Sequence, residues 1–90
     1  MSFEALDFKI VKLHRLPEGN RIKAFVDLGI NDTLIIKGLR VVDSDKGLFV
    51  SMPQELGKND RWYDKVRCLD IEVRNKISKK VLEAFQSQKA

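Results

Sequence analysis

IKAFVDLGI, residues 22–30, has the most regular alternation of apolar residues in this 90-residue chain, and this pattern predicts a β-sheet. Its apolar side chains fall at every second position, from Ile22 to Ile30. A period of two places them on one face of an extended chain, whereas a helix would need a period of about 3.6. The segment therefore predicts a β-strand with one face turned toward the core.

A strand is predicted on each side of this segment, and each contains an irregular position. The run that begins at Phe8 changes the parity of its apolar residues near Val11, which indicates a β-bulge or a strand covered on both faces. Residues 34–42 are a β-branched run interrupted by Gly38, which indicates a bulge or a close approach of the backbone.

Turn residues separate these runs and a shorter strand that follows them. Gly29–Asp32 predicts a hairpin turn, and Asp43–Gly47 predicts a second tight turn. Residues 48–52 form a short apolar strand, and Pro53 ends its ladder because proline has no N–H to donate. We expect residues 54–60 to be a polar loop and residues 61–69 to be one more strand.

The apolar period changes to that of a helix at the end of the chain. Asp70 is a typical N-cap residue, and an apolar stripe of helical spacing follows it. The stripe consists of Val73, Ile77, Val81, Ala84 and Phe85. The predicted fold class is therefore α+β, a small antiparallel β-sheet of about five strands followed by a C-terminal α-helix. We expect residues 1–90 to form a single domain.

Composition excludes several classes of protein. The uncharged apolar stretches are far shorter than the roughly 20 residues that a membrane span needs, so we expect no membrane association. The N-terminus lacks the pattern of a signal peptide, and the single cysteine, Cys68, suits a reducing compartment, so we expect a cytoplasmic protein. A chain this short buries only about 60–65% of its surface, which favours a homodimer.

The sequence contains no recognisable group of catalytic residues. His14 is the only histidine, it lies in a basic stretch, and no nucleophile motif or phosphate-binding glycine loop is present. Asp43 and Asp45 lack the full oxygen-ligand loop that a calcium site requires. We therefore expect no enzymatic activity, no catalytic or metal-binding residues, no cofactor and no small-molecule substrate.

The excess of positive charge is confined to the last third of the chain. Residues 1–57 contain 8 Lys/Arg and 8 Asp/Glu, whereas residues 58–90 contain 9 Lys/Arg and 5 Asp/Glu, which accounts for the whole net charge of +4. A localised basic patch is typical of proteins that bind polyanions.

The candidate nucleic-acid-binding residues lie in this basic part of the chain. Four share the parity of one extended strand, namely Arg61, Tyr63, Lys65 and Arg67. Lys58 extends the row, and Arg74 and Lys76 lie in the first turns of the helix. Three cations with one aromatic ring suit phosphates and a stacked base. The same row also suits an edge strand that is protected from aggregation by its charge. Trp62, of opposite parity, is more typical of a core residue than of a stacking residue.

One region resembles a known family. Gly38–Asp43, followed by Lys46–Pro53, is similar to the signature of the SpoVG family (stage V sporulation protein G, septation regulator). The resemblance extends from about Ile22 to Phe85. It implies a fold with a small antiparallel sheet and a C-terminal helix, and a cytoplasmic, homodimeric, bacterial regulator that binds DNA or RNA.

The sequence departs from the family pattern just after Pro53. The family usually has a basic segment there, whereas this chain has Gln54–Gly57, in which Glu55 reverses the charge. Arg67 and Cys68 also replace a His-Pro pair before the helix. The predicted function is regulation through DNA or RNA as a homodimer. The alternative is a non-catalytic interaction module that regulates through a protein partner.

Overall fold

The computed structural model describes residues 6–87 and has the expected α+β architecture. Four strands form an antiparallel sheet in chain order, two short strands form a separate sheet, and one helix follows. The elements are β1 (Phe8–Arg15), β2 (Ile22–Ile30), β3 (Leu34–Ser44), β4 (Gly47–Ser51), β5 (Gln54–Leu56), β6 (Trp62–Asp64) and α1 (Ile71–Ser87).

Both positions that the sequence marked as irregular are β-bulges, and a third register shift falls at Lys23, between Ile22 and Ala24 of β2. The register of β1 on β2 shifts between Ile10 and Lys12, which leaves Val11 as the extra residue. The register of β2 on β3 shifts where Gly38 is inserted, and Gly38 has φ = 92°. Glycine is favoured there because a side chain is strained at this φ. The bulges keep the buried apolar residues of each strand on one face of the sheet.

The helix covers that face and completes the core. Asp70 caps it, since the Glu72 N–H donates to the Asp70 Oδ1 at 2.9 Å. Ile77 and Val81 are buried in the same cluster as Val26 and Val41 of the sheet, as the apolar stripe predicted. At the C-terminal end of the helix, the Arg15 guanidinium lies 4.2 Å from the centre of the Phe85 ring and donates to the Phe85 carbonyl.

Two predictions about residues 54–69 are wrong. Gln54–Leu56 is a strand rather than a loop, and it pairs with Trp62–Asp64 in an antiparallel hairpin. The strand predicted over residues 61–69 ends at Asp64, because the chain then bends back. The Lys65 N–H, at 2.9 Å, and the Val66 N–H, at 3.4 Å, both donate to the Pro53 carbonyl and hold this bend.

Within residues 6–87, no helix is long and apolar enough to cross a membrane.

Candidate nucleic-acid interface

The hairpin of β5 and β6 presents the first group of candidate residues. Its turn is closed by the Gly57 N–H, which donates to the Arg61 carbonyl at 2.7 Å, and by the Asp60 N–H, which donates to the Gly57 carbonyl at 3.1 Å. Lys58 and Arg61 lie in or beside this turn and are exposed. The turn therefore holds two cations where a polyanion can reach them.

The Tyr63 ring is packed against the same turn. A Cβ atom on Gly57 would lie 2.5 Å from the Tyr63 Cε2, so the ring occupies space that only a glycine leaves open. Asn59 donates from its Nδ2 to the Tyr63 hydroxyl at 2.9 Å. These contacts orient the ring, about half of whose surface remains exposed, which is what a stacking residue requires.

Lys65 and Arg67 do not continue the face of Arg61 and Tyr63, because they follow the bend after Asp64. The shared face of four residues predicted from parity is therefore wrong. Each of these two cations is paired with a carboxylate: the Lys65 Nζ lies 3.4 Å from the Glu55 Oε1, and the Arg67 Nε lies 3.5 Å from the Asp64 Oδ2. Exposed ion pairs contribute at most about 1 kcal/mol, so a phosphate can compete for these cations.

Asp64 is the carboxylate around which this part of the surface is organised. Its Oδ1 accepts from the Gln54 Nε2 at 2.9 Å. That hydrogen bond, together with the Arg67 and Arg74 guanidinium groups, lowers the pKa of the Asp64 carboxyl below its ordinary value, although desolvation opposes the shift. Asp64 therefore stays ionised and neutralises part of the local positive charge.

Arg74 and Lys76 lie on the helix, and each faces different surroundings. The Arg74 Nη2 donates to the Val50 carbonyl of β4 at 2.8 Å, and among the described residues its buried Nε has no hydrogen-bond partner. Arg74 also lines a small cleft with Arg67 and Asp64. Lys76 lies along a separate shallow groove with Lys79 and Lys80, beside the start of β1.

The seven candidate residues thus form three groups rather than one row. Lys58, Arg61 and Tyr63 lie on the hairpin, Lys65, Arg67 and Arg74 lie around the carboxylates of Glu55 and Asp64, and Lys76 lies in the groove between the helix and the start of β1. Their role in binding stays a prediction, and the half-buried Arg74 is already engaged with β4.

Sequence reasoning missed an aromatic surface that is formed by the other face of the four-stranded sheet and by the neighbouring hairpin. Trp62 is 58% exposed, so its interpretation as a core residue is wrong. The Arg40 guanidinium lies 5.9 Å from the centre of the Trp62 ring. Phe25 and Phe49 are also partly exposed. The parity of Phe25, opposite to that of Ala24 and its apolar neighbours, is the signal that could have revealed this surface.

The chain is similar to known proteins along most of its length. The family model described as SpoVG matches residues 4–87. A septation protein SpoVG of Archaeoglobus fulgidus is 33% identical over 78 residues, which cover 87% of this chain and 92% of the relative. A septation protein SpoVG of Fusobacterium nucleatum is 36% identical over 66 residues, which cover 73% and 71% of the two chains. These names refer to septation and not to a catalysed reaction.

Proposed function

The chain belongs to the SpoVG family, as the signature residues indicated, and from this premise we propose that it is a cytoplasmic regulatory protein that binds DNA or RNA as a homodimer. The observation that carries the proposal is the pair of exposed cations at the turn of the β5–β6 hairpin. Lys58 and Arg61 project at its turn, and the Tyr63 ring is oriented beside them. This combination suits a phosphate backbone with an accessible base.

Charge distribution supports the same proposal. The positive excess of residues 58–90 is carried by the bend after the hairpin, by the helix and by Lys89, whereas residues 58–64 contain two cations and two carboxylates. Counterions released from nucleic acid when these cations bind would supply most of the affinity, without a requirement for sequence. Glu55 and Asp64 pair with two of the cations, which lowers the affinity and makes the slope of log K against log salt shallower.

An apolar area beside the start of the helix supports the homodimer. Leu69 is 96% exposed and Ile71 is 69% exposed. Leu69 borders an apolar groove that is also lined by Phe8, Met52 and Ile77. Exposed apolar side chains beside an apolar groove favour a protein partner. A second copy of the chain presents both features, so two copies can fit each other around a two-fold axis.

The same area supports the alternative function, in which the groove takes a different protein and the basic residues only keep the edge of the hairpin soluble. The two functions differ in what they require of the cations. Only nucleic-acid binding depends on Arg61, Lys65 and Arg67 in a salt-dependent manner.

The test is a titration of labelled single-stranded and duplex oligonucleotides at two salt concentrations, followed by fluorescence anisotropy. For duplex DNA, we expect a slope of log K against log salt of about −0.9 for each phosphate contact. Changing Arg61, Lys65 and Arg67 together to Ala should flatten that slope by about 2–3 units and weaken all sequences alike. Unchanged affinity and slope in the folded triple variant would contradict the proposal and favour the protein-interaction module.

A further inference from the structure

The four-stranded sheet has one face that no described element covers, and this face carries two aromatic rings. Phe25 is 39% exposed and Phe49 is 45% exposed. Phe25 alternates with Ala24 and Val26, which are fully buried beneath the helix, so its ring points away from the core. We refer to this surface as the open face.

The open face is rich in positive charge. Cross-strand partners place His14, Phe25, Arg40 and Ser51 in one row across the sheet. The next row toward one end of the sheet contains Lys12, Asp27 and Lys37, and Lys9 follows it on β1. Four cations therefore share the face with one carboxylate.

This charge decides which occupant suits the face. Two copies packed through their open faces would bring like charges together, which is unfavourable at a buried interface. A polyanion gains from the same charges. Half-exposed aromatic rings among cations are suited to unpaired bases, which stack on the rings while their phosphates contact the cations.

Arg40 connects the open face to the hairpin of β5 and β6. Its Nη2 donates to the Gln54 Oε1 at 3.2 Å and lies 3.5 Å from the Ser51 Oγ. The same guanidinium lies near the Trp62 ring of the hairpin. One nucleic-acid strand that runs from the sheet onto the hairpin can therefore contact Phe25, Arg40, Phe49 and Trp62.

We propose that the open face binds single-stranded DNA or RNA, with Phe25 and Phe49 as stacking surfaces, Arg40 as a contact between them and Trp62 at the rim. This inference rests on the proposed function and adds to it a second surface and a preference for unpaired bases. A duplex does not expose the faces of its bases, so its binding depends on the cations of the hairpin and not on the two rings.

The experiment compares the protein with a variant in which both Phe25 and Phe49 are changed to Leu, which keeps the apolar bulk but removes the aromatic rings. The probes are a fluorescent oligothymidine of about 20 nucleotides and a duplex of the same length, longer than one site of this type. Because Trp62 is the only tryptophan, its fluorescence reports directly on the rim of the open face. We expect the oligothymidine to quench Trp62 and the double variant to bind it at least about tenfold more weakly.

The matched control is Leu34→Ala. Leu34 is an exposed apolar residue on the helix side of the sheet, opposite to the open face. Its cross-strand partner is Ile30, which in turn pairs with the buried Phe8. Leu34→Ala should leave affinity for both probes within about twofold, and Phe25→Leu/Phe49→Leu should leave duplex affinity within the same range.

A second test variant combines Lys12→Gln with Lys37→Gln and keeps both rings. It should flatten the slope of log K against log salt for the single-stranded probe by about 1–1.4 units.

The outcomes separate this inference from the proposed function. If the parent protein binds the oligothymidine and neither double variant changes its affinity, the open face is not the site, although nucleic-acid binding stands. If the parent binds neither probe, both proposals fail. If Phe25→Leu/Phe49→Leu turns a dimer into a monomer in sedimentation equilibrium, the face is an interface between copies and the inference is wrong.

Discussion

Arg67 and Arg74 both lie near the Asp64 carboxylate, but their guanidinium groups differ in exposure and in hydrogen-bond partners. Arg67 is mostly exposed, and its Nε faces the carboxylate. Arg74 is half-buried, and its Nη2 donates to the carbonyl of Val50 on edge strand β4. Arg74 therefore links the helix to the sheet and blocks an acceptor that a foreign strand could use.

Arg74→Gln should consequently destabilise the protein, because it removes a charged hydrogen-bond donor from a half-buried carbonyl. We expect a loss of about 1–3 kcal/mol in the free energy of unfolding, measured by urea denaturation. Arg67→Gln is the matched control, with the same change at an exposed site, and it should stay within about 0.5 kcal/mol of the parent. Equal losses in the two variants would contradict the structural role of Arg74.

Glu55 stands where the SpoVG resemblance led us to expect a basic residue, and the structure shows what it faces. Its carboxylate is paired with Lys65 across the hairpin. Glu55→Lys would remove that carboxylate, release Lys65 and add one more cation. It should strengthen binding to duplex DNA several-fold and steepen the slope of log K against log salt by about 1–2 units.

The matched control for Glu55→Lys is Glu18→Lys, which makes the same change of charge in the exposed turn before β2. It should have a smaller effect on affinity, because it adds a charge far along the chain from the hairpin and releases no cation. Anisotropy titrations of both variants at two salt concentrations measure the difference. Identical slopes would mean that net charge, and not the hairpin, determines binding.

At the scale of elements, the parts that sequence predicted are those with a regular period and a buried face. Residues 22–30 and the stripe from Val73 to Phe85 each repeat long enough to identify a strand or a helix. The bulges at Val11 and Gly38 followed from a change of parity and from the glycine itself. These signals are local, so no knowledge of the tertiary structure was needed.

The hairpin of β5 and β6 could not be predicted in the same way. Each of its strands has three residues, all of them exposed, so there is neither a period nor a buried side to detect. The end of β6 is determined by the Pro53 carbonyl, which is distant in sequence from the Lys65 and Val66 that bind it. This long-range contact is why the candidate residues were expected on one strand face and lie in three groups.

The helix gives a prediction about how its stripe contributes to stability. Ile77 is buried, so Ile77→Ala should cost about 2–5 kcal/mol, enough to unfold much of a marginally stable domain. Phe85 is only half-buried, beside Arg15 at the end of the helix, so Phe85→Ala should cost less than the roughly 3–5 kcal/mol of a fully buried ring. Urea denaturation of both variants checks the order, and a larger loss for Phe85→Ala would contradict it.

At the scale of the whole molecule, the core is small and is made from one face of the sheet and one helix. Its fully buried side chains are Leu28, Leu39, Ile77, Val26, Val41, Val50 and Val81, together with Ala24. In the proposed homodimer, a domain of this size would gain stability from burying the apolar area at Leu69 and Ile71 against a second copy. Dimerisation and folding should therefore be coupled, and thermal stability should rise with protein concentration.

Replacing Leu69 and Ile71 together by Asp tests this coupling without disturbing the helix itself. Both side chains are largely exposed, and negative charge near the N-terminus of a helix is favourable, so each copy should still fold. We expect sedimentation equilibrium at micromolar concentration to give a dimer for the parent and a monomer for the variant, whose melting temperature should no longer depend on concentration. The matched control is Leu34→Asp, at an exposed position at the end of the sheet, and this variant should remain dimeric. A monomeric parent would contradict the homodimer and leave the groove beside Leu69 to a different protein, as the alternative function requires.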